Sequence, residues 1–144
     1  MRPAEPDGGD EWVLLREATN PHRSPIIADV VGHPKGAPSV PELATTNPEL
    51  EPDTIRSHLR ELSEAGVVEA LEVPAGERER DLPYKFYRLT ERARELFDAN
   101  GLFPEDAWRR QYDRIAKDQE MRRLEAMPRP EPDGGDAQQT AARG

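Results

Sequence analysis

The chain has 144 residues, 29 acidic against 20 basic side chains, a formal net charge of -9 and no cysteine. That length fits one domain with tails and excludes a large multi-domain enzyme. The expectation is a soluble, cytoplasmic protein: no apolar run approaches the roughly 18–20 residues of a membrane span, no signal-peptide pattern opens the chain, and disulfide and thiolate chemistry are absent.

Only Lys35, Lys85 and Lys117 are lysines, and the other basic residues are all arginine. Guanidinium is weakly hydrated and pairs bidentately with carboxylate, so an Arg–Glu surface suits concentrated salt. High acid, little Lys and no Cys point to a salt-loving, haloarchaeal type of protein. The competing reading is the Arg-codon bias of a GC-rich genome. At about 1 M salt the Debye length is ~3 Å, so an acidic chain can still approach a polyanion.

The segment Glu5-Pro6-Asp7-Gly8-Gly9-Asp10 recurs as Glu131-Pro132-Asp133-Gly134-Gly135-Asp136. Proline, paired glycine and acids favour solvated tails, predicting disorder over 1–9 and 128–144. Asp10 is placed to cap a short helix carrying Trp12 and Leu14, ending before Asn20-Pro21. Ser24-Pro25 reads as an N-cap followed by proline at the first helical position, opening a helix with Ile26, Ile27, Val30 and Val31. Ser39-Val40-Pro41-Glu42 is a capping box for a short helix that ends at Asn47-Pro48. Pro52 begins the next helix, which runs to Ala65 and stops at Gly66. Val67 to Val73 and Tyr84 to Leu89 read as strands, separated by a charged loop from Pro74 to Pro83. Thr90 caps a helix that ends at Gly101. A last helix is predicted from Pro104 to about Met127. The fold class is therefore mainly α with a small β-hairpin wing, a helix-turn-helix followed by a hairpin, plus a long C-terminal helix. The expected organisation is a DNA-binding domain over 10–101, a dimerisation helix over 102–127 and flanking tails.

On a helical wheel for the 52–65 segment, Ile55, Leu59 and Leu62 share one face. The opposite side carries Asp53, Arg56, Ser57, Arg60 and Glu64. The run Thr54-Ile55-Arg56-Ser57-His58-Leu59-Arg60 contains no acid in a chain rich in acids. Arginine reaches guanine edges or phosphates, and Ser and Thr hydrogen-bond either. The bland alternative is a solvated face with local pairs such as Arg60 with Glu64.

Four blocks occur in order: Ser24-Pro25-Ile26-Ile27; Val40-Pro41-Glu42-Leu43-Ala44; Thr54 through Val68; and Tyr87-Arg88-Leu89-Thr90. Together they resemble the ArsR/MarR-like winged-helix regulators over about residues 20–100. The resemblance implies a DNA-binding transcription regulator. It places Thr54, Arg56, Ser57, His58 and Arg60 on the DNA-contacting helix. Metal-sensing members carry Cys or clustered His. This chain has no Cys, and His22, His33 and His58 show no ligand spacing, so neither metal nor cofactor is expected. His58 borders the apolar arc, which leaves packing and DNA contact equally open to it.

Between Arg78 and Arg94 six bases face three acids. In such a family a wing-tip arginine enters the narrow minor groove, which makes Arg78 and Arg80 candidates. The alternative is a solubilising hairpin tip. In the last helix Trp108, Tyr112 and Ile115 recur at helical spacing. A projecting helix with an apolar stripe needs a partner, so these three residues are expected to form a homodimer interface, against the alternative of a helix folded back on its own domain. The partner is then double-stranded DNA, read by the 52–65 helix in the major groove and by the wing over 74–83. The rival is a winged-helix module that binds proteins without DNA. No nucleophile motif or phosphate-cradling loop argues for an enzyme.

Overall fold

The computed structural model describes residues 6–130, with side chains from residue 11 onward. Seven helices and one hairpin follow each other as α1 (Pro6–Ala18), α2 (Ser24–Gly32), α3 (Val40–Thr46), α4 (Pro52–Glu64), β1 (Val68–Glu72), β2 (Lys85–Leu89), α5 (Glu91–Ala99), α6 (Glu105–Asp113) and α7 (Gln119–Ala126). A 3-10 turn at Ala75–Glu77 interrupts the wing loop.

Helix α1 begins four residues before the expected Asp10 cap, so residues 6–9 are helical rather than part of a tail. Proline at a first helical position has no N–H to lose and a fixed φ that suits the turn. The rest of the N-terminal tail and the second copy of the repeat lie outside the described residues. In α2 the cap is Arg23 rather than Ser24, without a side-chain cap bond. The Ser24 N–H instead bonds the Asn20 carbonyl at 2.8 Å. The capping box of α3 forms as expected: the Ser39 N–H donates to Glu42 Oε1 at 2.9 Å, and the Glu42 N–H donates to Ser39 Oγ at 3.4 Å. Gly66, at φ +86°, ends α4 in the left-handed region, where a side chain is strained. The Val67 N–H closes that turn on the Leu62 carbonyl at 2.9 Å.

The hairpin is antiparallel, pairing Val68 with Leu89, Ala70 with Tyr87 and Glu72 with Lys85. Beyond it the Tyr87 N–H donates to the Pro38 carbonyl at 2.9 Å. That bond ties the wing to the segment entering α3. Thr90 caps α5 by accepting the Ala93 N–H, and its hydroxyl donates to the Gly66 carbonyl at 2.7 Å. The core joins α1, α2, α3, α4, the hairpin and α5 through Leu14, Ile26, Ile27, Val30, Leu43, Ile55, Leu59, Leu62, Val68, Leu89 and Phe97. A smaller cluster of Ala37, Leu71 and Phe86 lies under the wing, with Met127 against it. Three helices, a hairpin and a closing helix in this order make a winged helix-turn-helix domain.

The expected single helix from 104 to 127 is two helices. The chain leaves α6 at Arg114 and restarts at Asp118, whose carboxylate accepts the Met121 N–H at 2.8 Å. The break lets two differently oriented apolar sets be buried: Tyr112 against α2, and Met121 and Leu124 with α7 against α3. A straight helix of that length would project about 34 Å at 1.5 Å per residue and leave one set in water. Gly32 makes the contact with α6 close enough, since a Cβ there would lie 2.6 Å from the Trp108 carbonyl oxygen. Residues 128–130, expected in the disordered tail, are held against the domain by Arg129, whose Nε donates to the Ala37 carbonyl at 2.8 Å.

Candidate nucleic-acid interface

The wheel reading of α4 matches its placement: Ile55, Leu59 and Leu62 are buried. Thr54, Arg56 and Arg60 are exposed on the same helix, while Ser57 and His58 are half-buried. Arg56 is paired with Asp53 at 2.8 Å, but both groups are solvent-exposed. Such a pair contributes at most about 0.5 kcal/mol and is readily exchanged for a phosphate. Arg60 makes no ion pair with Glu64 and no hydrogen bond among the described residues. His58 turns toward the α1–α2 connection. Its own burial, then the charges of Arg23 and His22, push it below the usual histidine range. It is therefore neutral near pH 7.

The wing differs from its linear charge sum. Arg88 pairs with Glu69 across the hairpin at 2.7 Å. Glu72 takes both Arg78 at 3.3 Å and Lys85 at 3.5 Å. Arg94 reaches Glu105 at 3.9 Å. These acids lie outside the 78–94 window, so they were invisible to its local balance. Arg78 is also drawn back from the tip. Its Nε donates to the Val73 carbonyl at 2.8 Å, and its guanidinium stacks 3.7 Å over the Tyr84 ring. It lines a groove of about 510 Å³ between the wing loop and residues 127–130. Arg80 is exposed and has no ion pair among the described residues. At the tip Asp81 holds φ +67°, a left-handed conformation that Asp tolerates better than most residues.

The stripe expected to form a dimer faces the chain's own domain. Tyr112 is buried, edge-on to His33 at 5.7 Å. Trp108 is half-buried in a row with Phe103 and Phe97, the ring centroids 6.5 and 5.3 Å apart. Ile115 is half-buried in the connection between α6 and α7. Folding back on α2 is thus the arrangement adopted.

Sequence spacing also missed a buried polar cluster. His33, Glu42 and Glu125 bring ligand atoms within 4.8 Å of one another. Histidine and carboxylates at that range can hold a metal ion, yet here the charges are matched within the chain. Arg129 Nη2 donates to Glu42 Oε1 and Oε2 at 2.9 and 3.0 Å, and Lys117 pairs with Glu125 at 3.1 Å. His33 Nδ1 accepts the Lys35 N–H at 3.0 Å, so the ring proton sits on Nε2 and donates to Glu42 Oε2 at 2.7 Å. A metal ligand needs that nitrogen bare. The only sequence signals were the Ser39-x-x-Glu42 box and an Arg among tail prolines.

Neither a scan of family models nor a search of curated proteins found a match. Among solved structures, the chain is similar to a protein with a GntR superfamily winged-helix-turn-helix domain from Halomicrobium mukohataei. The two are 27% identical, with 92% of this chain and 94% of that chain covered and a TM-score of 0.74. An M. tuberculosis protein aligns at 24% identity over 78% of this chain and all of that one, with a TM-score of 0.48. No described helix is long and apolar enough to cross a membrane.

Proposed function

We propose that the protein is a sequence-specific, double-stranded DNA-binding transcription regulator without catalytic activity. In this reading α4 enters the major groove, with Thr54, Arg56, Ser57 and Arg60 toward base edges and phosphates. The wing over residues 74–83 rides the flanking groove, with Arg80 as its contact. The observation that carries the reading is α4 itself: its apolar face is buried on the core, and its acid-free 54–60 stretch presents Arg56 and Arg60 to solvent.

The resemblance to ArsR/MarR-like regulators supports a cytoplasmic homodimer that presents two α4 helices about one DNA turn apart, near 34 Å. Within one chain Tyr112 is buried, whereas Trp108 and Ile115 are half-buried and keep surface to offer a second copy. The excess of acids, 29 against 20 basic side chains that are nearly all arginine, supports adaptation to concentrated salt.

The second reading, a winged-helix module for protein partners, draws on the neutralised wing, where Glu69 and Glu72 take up Arg88, Arg78 and Lys85. A gel-shift series in potassium chloride up to multimolar concentration separates the two. Retarded duplex at high salt supports the regulator. No retardation at any salt, with protein captured in a nucleic-acid-free pull-down, supports the module.

A further inference from the structure

Glu42 is fully buried, at 0% exposure. Besides the Arg129 and His33 bonds above, its carboxylate accepts the Ser39 N–H at 2.9 Å and the Ser39 hydroxyl at 2.8 Å. Ser39 carries no charge, and His33, its Nδ1 taken up by the Lys35 N–H, donates from Nε2, so Arg129 is the permanent positive charge against it. A buried carboxylate needs such a partner.

The rest of the Arg129 guanidinium is used for geometry. Nε binds the Ala37 carbonyl. Nη1 binds the Leu124 and Met127 carbonyls at 2.9 and 2.8 Å. The plane lies 4.4 Å from the centre of the Phe86 ring. One side chain therefore touches the entry to α3, the exit of α7 and strand β2. Helix α3 packs on α4, and β2 is half of the wing. The two elements of the proposed DNA interface are thus fixed relative to each other through a residue in neither.

We propose that Arg129 is a positioning residue for DNA recognition, setting the angle between α4 and the wing from the C-terminal segment. The proposal rests on the DNA-binding reading. Lysine preserves the charge opposite Glu42. It lacks the planar fork that reaches three carbonyl groups and a carboxylate while stacking on a ring. Arg129→Lys therefore separates charge from geometry.

The test uses the full chain and the duplex that the wild-type chain enriches most from a randomised library. A random duplex of equal length serves as reference. Expected is a loss of about tenfold in the ratio of selected to random affinity for Arg129→Lys, with random-duplex binding nearly unchanged. Phe97→Leu, in α5, serves as a control chosen to lower the melting temperature at least as much, and it should retain the ratio. Should Arg129→Lys fail to fold, Phe86→Leu replaces it, removing the ring under the guanidinium while Glu42 stays paired. The same ordering is expected. An unchanged ratio in the Arg129 or Phe86 variant overturns the proposal, as does an equal loss in Phe97→Leu. If the wild-type chain enriches no duplex, the DNA-binding reading itself falls and takes the positioning role with it.

Discussion

Arg129 Nη2 stands 2.9 Å from Glu42 Oε1, joining residues 87 positions apart in the chain. The pair is shielded, with side-chain exposures of 8% and 0%. Burial by itself would raise the Glu42 pKa. The hydrogen bond from His33, the charge of Arg129 and the Ser39 N–H outweigh it, holding the carboxyl below its usual range.

Removing one partner of such a pair costs more than removing both. Arg129→Gln is expected to lower stability by about 3–5 kcal/mol in urea unfolding. Adding Glu42→Gln should recover part of that loss, because the uncompensated charge is gone. Since the native pKa of Glu42 is depressed, the stabilisation by this group is complete above its ordinary value of 4.5 and is lost as pH falls below it. Strict additivity of the two substitutions would contradict the pairing.

Asp29 acts in the opposite sense. Burial raises its pKa to about 6, although the Thr46 hydroxyl and Asn47 amide both donate to it at 2.8 Å. The native state thus binds this proton more tightly than the unfolded chain. The Asp29 contribution falls as pH rises from about 4 to 6 and stays low above that. Asp29→Asn can accept the same two hydrogen bonds through its carbonyl. Its melting temperature should exceed that of wild type by several degrees at pH 8, for roughly 1–2 kcal/mol, and the difference should shrink at pH 4. A constant difference across that range would contradict the assignment.

Gly32 fixes how closely α6 approaches α2. A Cβ at that position meets the Trp108 carbonyl oxygen at 2.6 Å and Tyr112 Cβ at 3.1 Å. Neither backbone can give without moving α6. Gly32→Ala should therefore destabilise by about 1–3 kcal/mol despite its better helix propensity. The tryptophan emission should move to longer wavelength as Trp108 gains solvent. An unchanged spectrum and stability would show that α6 is not seated there.

The dependence of DNA binding on salt should be shallow or inverted. Each neutralised phosphate contributes about -0.9 to the slope of log K against log salt. Arg78, Lys85, Arg88 and Arg94 are already matched by acids, and the net charge of -9 adds repulsion that salt screens. A steep negative slope, at the value for six phosphate contacts, would contradict this charge accounting.

Much of the fold was legible where local and tertiary signals agree. Ile55, Leu59 and Leu62 recur at helical spacing and are buried together, and Ser39 and Glu42 form the box their spacing announces. The break between α6 and α7 was harder, since neither Gly nor Pro stands between Asp113 and Gln119. Its signals were Asp118 as an internal cap and the rotated apolar face of Met121 and Leu124. The wing charge was misread because a window along the chain cannot count Glu69, Glu72 or Glu105, which reach it through strand pairing and helix packing. Arg129 was assigned to a tail because the partners that tie it to the domain, the Ala37 carbonyl and Glu42, lie 92 and 87 positions away. The face of α4 was fully legible, whereas the geometry that holds it against the wing was not.

The proposed reading of DNA by α4 stands on Arg56 and Arg60. Fluorescence anisotropy of the selected duplex, with wild type, Arg56→Ala and Arg60→Ala at one fixed salt concentration, tests it most directly. Both side chains are exposed, so neither change should disturb folding. Loss of each base-contacting arginine should cost about 1–3 kcal/mol in binding free energy, together with relaxed preference at the contacted position. Wild-type affinity in both variants would contradict the assignment of α4 as the recognition helix.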